Sequence, residues 1–110
     1  MARQQTIELT PDTILGILAE HRDDLRALGV RTLGLFGSFR RGEAHVESDM
    51  DFLVTLDQPT LRSYMAVKEL IEHLFGRSVD LVMADAIKPR IRGRIFAEVV
   101  YVPGLSPVSG

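Results

Sequence analysis

Three short runs of the sequence are rich in β-forming residues, and they constrain the fold more than any other feature. They cover residues 30–36, 49–56 and 79–83, and the first two end where turn residues begin. Segments with apolar residues at helical spacing precede, separate and follow them. The order helix, strand, short turn, strand, helix, strand, helix predicts a small α/β or α+β sandwich with a mixed sheet.

The two long helices are marked by residues typical of helix ends. The first is predicted over about 11–28, since it begins with a Thr-Pro pair and stops at Gly29. The second begins after a capping Thr60 and ends at Gly76. The residues predicted on or beside its apolar face are Leu61, Tyr64, Met65, Leu70, Ile71, Leu74 and Phe75.

The last helix has two candidate starts, at Asp85 and at Lys88. Lys88 is preferred, because Pro89 would then take the first helical position, which suits its fixed φ angle. Residues 99–102 are predicted to form a short edge strand after this helix. The residues predicted to face inward from it are Ile91, Ile95 and Phe96.

The size and composition are those of one soluble globular domain, with 110 residues, 45% of them hydrophobic and 25% charged. We expect a single minimal domain over 1–110, with an ordered core of about 6–103 and disorder only at 1–5 and 104–110. No apolar stretch approaches the roughly 20 residues of a membrane helix, and the start lacks the apolar core of a secretory signal. A cytoplasmic location is therefore expected.

The charge and the absence of cysteine exclude several kinds of site. A formal net charge of −2 provides no general attraction to nucleic acid, so a nucleotide or a protein surface is the better expected ligand. Without cysteine there is no disulfide, no thiolate metal site and no cysteine nucleophile. Any metal must be held by oxygen or imidazole ligands.

A glycine–serine pair, Gly37 and Ser38, follows the first strand. A strand that leads through glycine into a helical turn presents backbone N–H groups and a hydroxyl to an anion, and glycine lets the backbone approach a phosphate. Ser38 is predicted to cap a single turn that runs through Arg41 and closes at Gly42. Arg40 or Arg41 could reach the phosphate, and the pattern leaves open which one does.

Two acids, Asp49 and Asp51, stand where the second strand is expected. Alternation sends both to one face, about 6.6 Å apart, where two carboxylates repel by about 2–3 kcal/mol at an effective dielectric constant of about 20. One divalent cation, or a pair about 3.5–4 Å apart, would turn that repulsion into coordination, and hard oxygen ligands suit Mg²⁺ or Mn²⁺. Asp80 is the only acid of the third run and is the candidate third ligand.

Each part of this pattern is common by itself. A Gly-Ser pair is usually a turn, and an Asp-x-Asp group is usually a loop or a helix cap. At residue frequencies of roughly 5–7%, the combination of Gly-Ser, ten residues and Asp-x-Asp should occur by chance in about one chain in a thousand of this length. We therefore interpret residues 37–51, together with Asp80, as a site for a nucleoside triphosphate and metal ions.

The segment GSFRRGEAHVESDMDFLV at residues 37–54 resembles the signature of the DNA polymerase β-like nucleotidyltransferase superfamily, and in particular its minimal MNT-domain branch. The resemblance covers nearly the whole chain and implies a small mixed sheet with helices packed mainly on one face. It also implies transfer of AMP from ATP, with Mg²⁺, to a hydroxyl group. Gly37 and Ser38 match the triphosphate-binding pair, and the metal-binding and catalytic carboxylates match Asp49, Asp51 and Asp80.

The MNT branch is similar to antitoxins encoded beside HEPN-domain toxins. For this chain the resemblance implies a hetero-oligomer with a HEPN ribonuclease toxin and AMPylation of a tyrosine hydroxyl, with Asp80 accepting the hydroxyl proton. Two alternatives remain open. One is a non-catalytic antitoxin that neutralises its partner by steric binding, and the other is a nucleotidyltransferase that acts on a small molecule or an RNA end.

Overall fold

The computed structural model describes residues 9–45 and 47–107, and it places the three predicted strands in one sheet. Its strands are β1 (Val30–Phe36), β2 (Met50–Leu56), β3 (Val79–Met83) and β4 (Val100–Tyr101). Its helices are α1 (Pro11–Glu20), α2 (Arg22–Ala27), α3 (Gly37–Arg41), α4 (Leu61–Phe75) and α5 (Pro89–Glu98), with a 3₁₀ turn at Ala84–Ala86. In the described part of the chain, no helix combines the length and the apolar character needed to span a bilayer.

The sheet has four strands in the order β3-β2-β1-β4. β1 is antiparallel to both β2 and β4, whereas β2 and β3 are parallel. The predicted mixed sheet and the predicted edge strand are therefore confirmed. The register aligns Phe36 with Asp51 and Asp51 with Asp80, so the end of β1 lies beside the starts of β2 and β3.

The hydrophobic core lies on one face of this sheet. Met50, Phe52 and Val54 alternate along β2 and are fully buried. Each such side chain contributes about 1.5–3 kcal/mol to folding, so their burial determines the register of β2. Asp51 lies between two of them in sequence and points to the opposite face. The helices and β1 add further buried residues to the same cluster, among them Ile14, Leu18, Leu25, Leu33, Leu35, Val67 and Ile71.

The prediction of one continuous first helix over 11–28 is wrong, because the chain interrupts it at His21. The backbone there has φ −109° and ψ 16°, and the His21 N–H donates to the Leu18 carbonyl at 3.0 Å. The His21 ring Nδ1 lies 3.0 Å from the Ile17 carbonyl oxygen. A tighter turn and this side-chain contact replace the regular helical bonds, and α2 begins at Arg22.

The second long helix begins and ends where it is predicted to. Thr60 accepts a hydrogen bond from the Ser63 N–H, and the Ser63 side chain accepts one from the Thr60 N–H, which completes a capping box. Gly76 ends α4 in the left-handed conformation, with φ 63°. These local signals therefore define α4.

The apolar face predicted for α4 is partly wrong. Leu61 and Met65 are 77% and 40% exposed. The buried residues of α4 are Val67 and Ile71. Met65 lies about 200° around the helix from Val67, because each residue advances the helix by about 100°. The apolar face of α4 is therefore narrower at its first turns than the spacing of apolar residues predicts.

The prediction that α5 buries Ile91 and Phe96 is wrong. Both side chains are 40% exposed, and none of the ten residues of α5, all within the described range, is buried. The helix does begin at Pro89, with Lys88 in the capping position but without a side-chain capping bond. α5 packs against α3, and a turn of five residues is too small to cover a helix face.

The prediction of disorder from residue 104 onward is wrong for residues 104–107. Leu105 is 1% exposed and belongs to the core cluster. Its carbonyl accepts a hydrogen bond from the Leu33 N–H at 3.0 Å, and its N–H donates to the Val102 carbonyl at 2.8 Å. The remaining predicted disordered residues, 1–5 and 108–110, lie outside the described part.

Candidate functional site

The turn at Gly37 brings the backbone against an acid of the neighbouring strand. Gly37 is buried and has φ 79°, and a Cβ atom added there would collide with Asp51 Oδ2. The register accounts for this, because Phe36 and Asp51 are paired across β1 and β2. Glycine is therefore required at position 37, both for the backbone angle and for the approach to the carboxylate.

The predicted cap at Ser38 is wrong, although the predicted single turn is present. α3 begins at Gly37, and Phe36 takes the capping position without a side-chain bond. Ser38 is half-buried inside the turn, and Gly42 ends it with φ 74°. The extended backbone of Phe36 brings the chain straight from β1 into α3, so the turn begins two residues earlier than a cap at Ser38 would place it.

The structure brings the three predicted carboxylates to one end of the sheet. Asp51 lies on β2 and Asp80 on β3, and the two residues are aligned in the parallel pairing. Aligned residues of neighbouring strands point to the same face, about 4.8 Å apart. Asp49 is predicted inside β2 but lies one residue before it, exposed to solvent.

The neighbouring carboxylates change the pKa of Asp51. Burial, followed by the negative charges of Asp80 and Asp49, raises the pKa of Asp51 from 3.8 to about 6. Glu98 adds to this rise, and Arg41 opposes it. The negative charges around the half-buried Asp51 therefore outweigh the positive charge of Arg41.

The donor set fits a hard divalent cation by chemistry, although not by preformed geometry. Among residues 9–45 and 47–107, no three acidic or histidine side chains converge closely enough to hold a metal ion. The candidate donors Asp49, Asp51 and Asp80 are all carboxylates, which suit Mg²⁺ or Mn²⁺. A cation would also relieve the repulsion that raises the pKa of Asp51. Their assignment as metal ligands stays a prediction.

Both arginines of α3 are bonded to Glu98 at the end of α5. Arg40 Nε donates to the Glu98 carbonyl at 2.9 Å. One Arg41 terminal nitrogen donates to the two Glu98 carboxylate oxygens at 3.0 and 3.2 Å, while Arg41 Nε donates to Glu43 at 2.9 Å. The predicted phosphate contacts of Arg40 and Arg41 stay predictions, and in this structure both side chains bind acidic or carbonyl oxygens instead.

Glu98 is a site residue that the sequence pattern did not reveal. Its Oε2 accepts a hydrogen bond from the Gly37 N–H at 2.6 Å. Partial burial acts to raise the pKa of Glu98, but the bonds from Gly37 and Arg41 lower it overall. The one available signal was that Glu98 is the only acid in a helix with three arginines.

Arg77 is a second residue that the sequence pattern did not reveal. Its guanidinium lies 5.0 Å from the centre of the Phe39 ring, and it donates to the carbonyls of His45 and Ser48 at 3.2 and 3.3 Å. Arg77 thus connects α3 to the loop that ends at Asp49. A single arginine after a helix carries no sequence signal for such a role.

Two cavities differ in their relation to these residues. A cavity of about 220 Å³ lies at the site and is lined by Phe36, Gly37, Arg41, Ile91, Arg94, Ile95 and Glu98. A larger one, of about 550 Å³, lies at the other end of β1 and β2, beside Gly29 and Asp57. The smaller cavity borders the glycine turn, whereas Asp49 lines a separate cavity of about 240 Å³. We place the candidate site at this end of the sheet and not at the larger cavity, because the glycine turn and the predicted carboxylates lie here.

Comparison with known proteins shows what the domain as a whole is similar to. The family model described as a nucleotidyltransferase domain matches residues 18–102. The chain is 44% identical over 96 residues to the protein adenylyltransferase MntA of Thermococcus cleftensis, covering 86% of this chain and 97% of that protein.

Two solved structures are similar to the fold. One, provisionally named a minimal nucleotidyltransferase, has a TM-score of 0.63 and 33% identity, and the match covers 78% of this chain and 93% of that one. The other is a complex of tri-AMPylated Shewanella oneidensis HEPN toxin with MNT antitoxin. It has a TM-score of 0.57 and 15% identity, and the match covers 80% of this chain and 71% of that one. At that identity it supports the fold alone.

Proposed function

Because the chain belongs to the nucleotidyltransferase domain family, we propose that it transfers AMP from ATP to a hydroxyl of a HEPN-domain ribonuclease toxin and so acts as its antitoxin. The observation that carries this proposal is one row of residues across the sheet. Phe36, which leads into the Gly37 turn, is aligned with Asp51, and Asp51 is aligned with Asp80. The predicted phosphate-binding turn and the predicted ligands Asp51 and Asp80 are therefore neighbours on the sheet.

The reaction requires one bond to form and one to break. The acceptor hydroxyl oxygen bonds to the α-phosphorus, and the bond from that phosphorus to the oxygen that bridges to the β-phosphate breaks, releasing pyrophosphate. Asp80 accepts the hydroxyl proton, since it is exposed beside Asp51. Mg²⁺ held by Asp49, Asp51 and Asp80 would balance phosphate charge and make the hydroxyl more acidic.

The chain's own donors bind and orient the triphosphate. Gly37 and Ser38 offer the phosphates backbone N–H groups and a hydroxyl at the start of α3. Arg40 and Arg41 follow in the same turn, where a guanidinium can balance the charge that develops on the leaving pyrophosphate. Once the nucleotide is bound, donors that already point at its phosphates need no further rearrangement in the chemical step, and this favours the transition state.

A protein acceptor is consistent with the openness of the site. Asp49 and Asp80 are exposed, so a hydroxyl on another macromolecule can reach them. The curated relative supports a protein acceptor, since it is a protein adenylyltransferase. The choice of a HEPN toxin follows from the resemblance of residues 37–54 to the MNT branch. A cytoplasmic location is part of the same proposal.

The test is transfer of label from ATP to a HEPN toxin encoded beside this chain. Purified chain, toxin and Mg²⁺ are incubated with ATP labelled at the α- or the γ-phosphate. We expect label on the toxin from the α position only, and none with Asp49→Asn/Asp51→Asn. Asp57→Asn is the matched control, because Asp57 is exposed at the far end of β2.

Other outcomes of this experiment identify the alternatives. If the toxin stays unlabelled but is bound and silenced, steric neutralisation replaces the catalytic proposal. If the chain alone turns over ATP with a small molecule or an RNA end, the acceptor proposed above is wrong. Label from the γ position would indicate a kinase and would contradict nucleotidyl transfer.

A further inference from the structure

The Glu98 carboxylate lies where the proposed function requires a phosphate. It accepts a hydrogen bond from the Gly37 N–H at 2.6 Å and two from Arg41 at 3.0 and 3.2 Å. A backbone N–H and a guanidinium that converge on one anion are the donors that proteins use for phosphate oxygens. This anion position is occupied by a side chain of the protein itself.

The main chain of Glu98 strengthens the same connection. Arg40 Nε donates to the Glu98 carbonyl at 2.9 Å, so both arginines of α3 are bonded to one residue of α5. These bonds join residues 57 to 61 positions apart in sequence. The side chain of Glu98 is only 25% exposed, and the cavity of about 220 Å³ lies directly beside it.

We propose that Glu98 is an internal anion that the triphosphate of the nucleotide displaces, so that Glu98 sets the affinity of the site for nucleotide. The inference rests on the proposed function, because it takes the Gly37 turn as the phosphate-binding turn. It adds a residue, Glu98, that the phosphate-binding pattern does not contain, and it states that Glu98 competes with the nucleotide for Gly37 and Arg41.

Displacement follows from the donors and the charges. The Gly37 N–H has a single hydrogen, and Glu98 uses it. A phosphate and a carboxylate about 4 Å apart repel by roughly 4 kcal/mol per pair of unit charges at an effective dielectric constant of about 20. The two anions therefore exclude each other from Gly37 and Arg41, and rotation of the Glu98 side chain is the smallest movement that frees both.

The opposite role has a distinct signature. If Glu98 stayed in place and only positioned Gly37 and Arg41 for the nucleotide, removing its charge would weaken nucleotide binding. If Glu98 competes with the nucleotide, removing its charge strengthens binding. The sign of the change in affinity therefore separates the two roles.

The experiment measures the dissociation constants of Mg²⁺-ATP, Mg²⁺-tripolyphosphate and adenosine by calorimetry with the full chain and Glu98→Gln. We expect Glu98→Gln to bind both triphosphates roughly tenfold more tightly, the usual effect of one charge-assisted hydrogen bond. Adenosine, which lacks phosphate, should bind the two proteins equally.

Glu43→Gln is the matched control, because Glu43 also binds Arg41 but does not contact Gly37. This substitution also removes one negative charge that is bonded to Arg41, so it measures the general electrostatic effect on nucleotide binding. We expect that effect to be less than about threefold at an exposed pair. If both variants gained affinity for triphosphate equally, the loss of any nearby negative charge would explain the result, and the inference would be overturned.

A measurement on the wild-type chain does not depend on how a variant folds. In a titration with Mg²⁺-tripolyphosphate, the Gly37 amide and the Glu98 side-chain carboxyl carbon should shift together in the NMR spectrum as one anion replaces the other. A Glu98 carbon that does not move overturns the inference, as does unchanged or weaker binding by Glu98→Gln. If the wild-type chain and both variants fail to bind any triphosphate, the proposed function fails as well.

Discussion

Position 37 accepts only glycine, because Asp51 occupies the space where a side chain would lie. A Cβ at this position would collide with Asp51 Oδ2, and the φ of 79° is unfavourable for any other residue. Gly42 has a similar φ of 74°, yet nothing lies within 4 Å of the position that a Cβ would take there. A side chain at position 42 would therefore cause backbone strain only, whereas one at position 37 would cause backbone strain and a collision with Asp51.

Gly37→Ala should lower the free energy of unfolding by about 2–4 kcal/mol, whereas Gly42→Ala should lower it by about 1 kcal/mol. Both variants carry the backbone strain, but only Gly37→Ala also displaces Asp51. Urea unfolding of both variants measures the two changes in stability. Equal losses of stability in the two variants would show that contact with Asp51 is unimportant.

The raised pKa of Asp51 predicts how stability depends on pH. Between pH 3.8 and about 6 the folded chain retains a proton at Asp51 that the unfolded chain loses, so stability decreases as pH rises through this window. The full shift would correspond to about 3 kcal/mol, and solvent screening of this half-exposed group reduces it to about 1 kcal/mol.

Asp51→Asn should therefore become more stable than the wild type by about 1 kcal/mol as pH rises from 3.5 to 7.5 without divalent cations, because Asn carries no charge. Thermal unfolding at a series of pH values measures this difference. Mg²⁺ at pH 7.5 should stabilise the wild type and leave Asp51→Asn nearly unchanged. A difference that stays constant with pH would contradict the assignment of the raised pKa.

At the scale of elements, the site depends on how a loop and a turn are held together. Arg77, between α4 and β3, contacts the Phe39 ring on α3 and the carbonyls of His45 and Ser48. The loop it contacts ends at Asp49, one of the predicted metal ligands. The position of Asp49 therefore depends on a residue distant from it in sequence.

Arg77→Ala should weaken Mg²⁺ binding and label transfer by roughly tenfold, because Asp49 loses a fixed position. Arg92→Ala is the control, since Arg92 also lies over a ring, 5.5 Å from the centre of Phe96, but on the exposed helix α5. Calorimetric titration with Mg²⁺ alone gives a measurement independent of activity. Equal Mg²⁺ affinity in the two variants would assign Arg77 a role in stability only.

At the scale of the whole molecule, the end of the described chain closes the core from one side. Leu105 is 1% exposed and its backbone bonds to Leu33 of β1, while Arg26 of α2 donates to the Gly104 carbonyl at 2.6 Å. These contacts join α2, β1 and the segment after β4. The residues that follow β4 are thus part of the folded unit.

Leu105→Ala should lower the free energy of unfolding by about 2–4 kcal/mol, because it leaves a cavity in the core. Leu61→Ala should change it by less than about 0.5 kcal/mol, since Leu61 is 77% exposed. Chemical denaturation of both variants provides the comparison. A small effect at Leu105 would show that the segment after β4 contributes little to the fold.

The sequence by itself determined the features that neighbouring residues control. The bounds of β1 and β3, the ends of α4 and the turn closed by Gly42 follow from β propensity, a capping box and left-handed glycines, all of which act within a few residues. The spacing of Asp49 and Asp51 predicted a common face for the two, but Asp49 lies one residue before β2. Their roles at the site stay predictions.

The tertiary structure alone decided what distant residues do to one another. The bond of Glu98 to Gly37 crosses 61 positions, and the burial of Leu105 depends on a strand far earlier in the chain. Likewise α5 has an amphipathic pattern but lies against a turn too small to cover it. Local periodicity measures the preference of a segment for a helix or strand, whereas burial depends on which surface meets it, and that surface exists only after the sheet has formed.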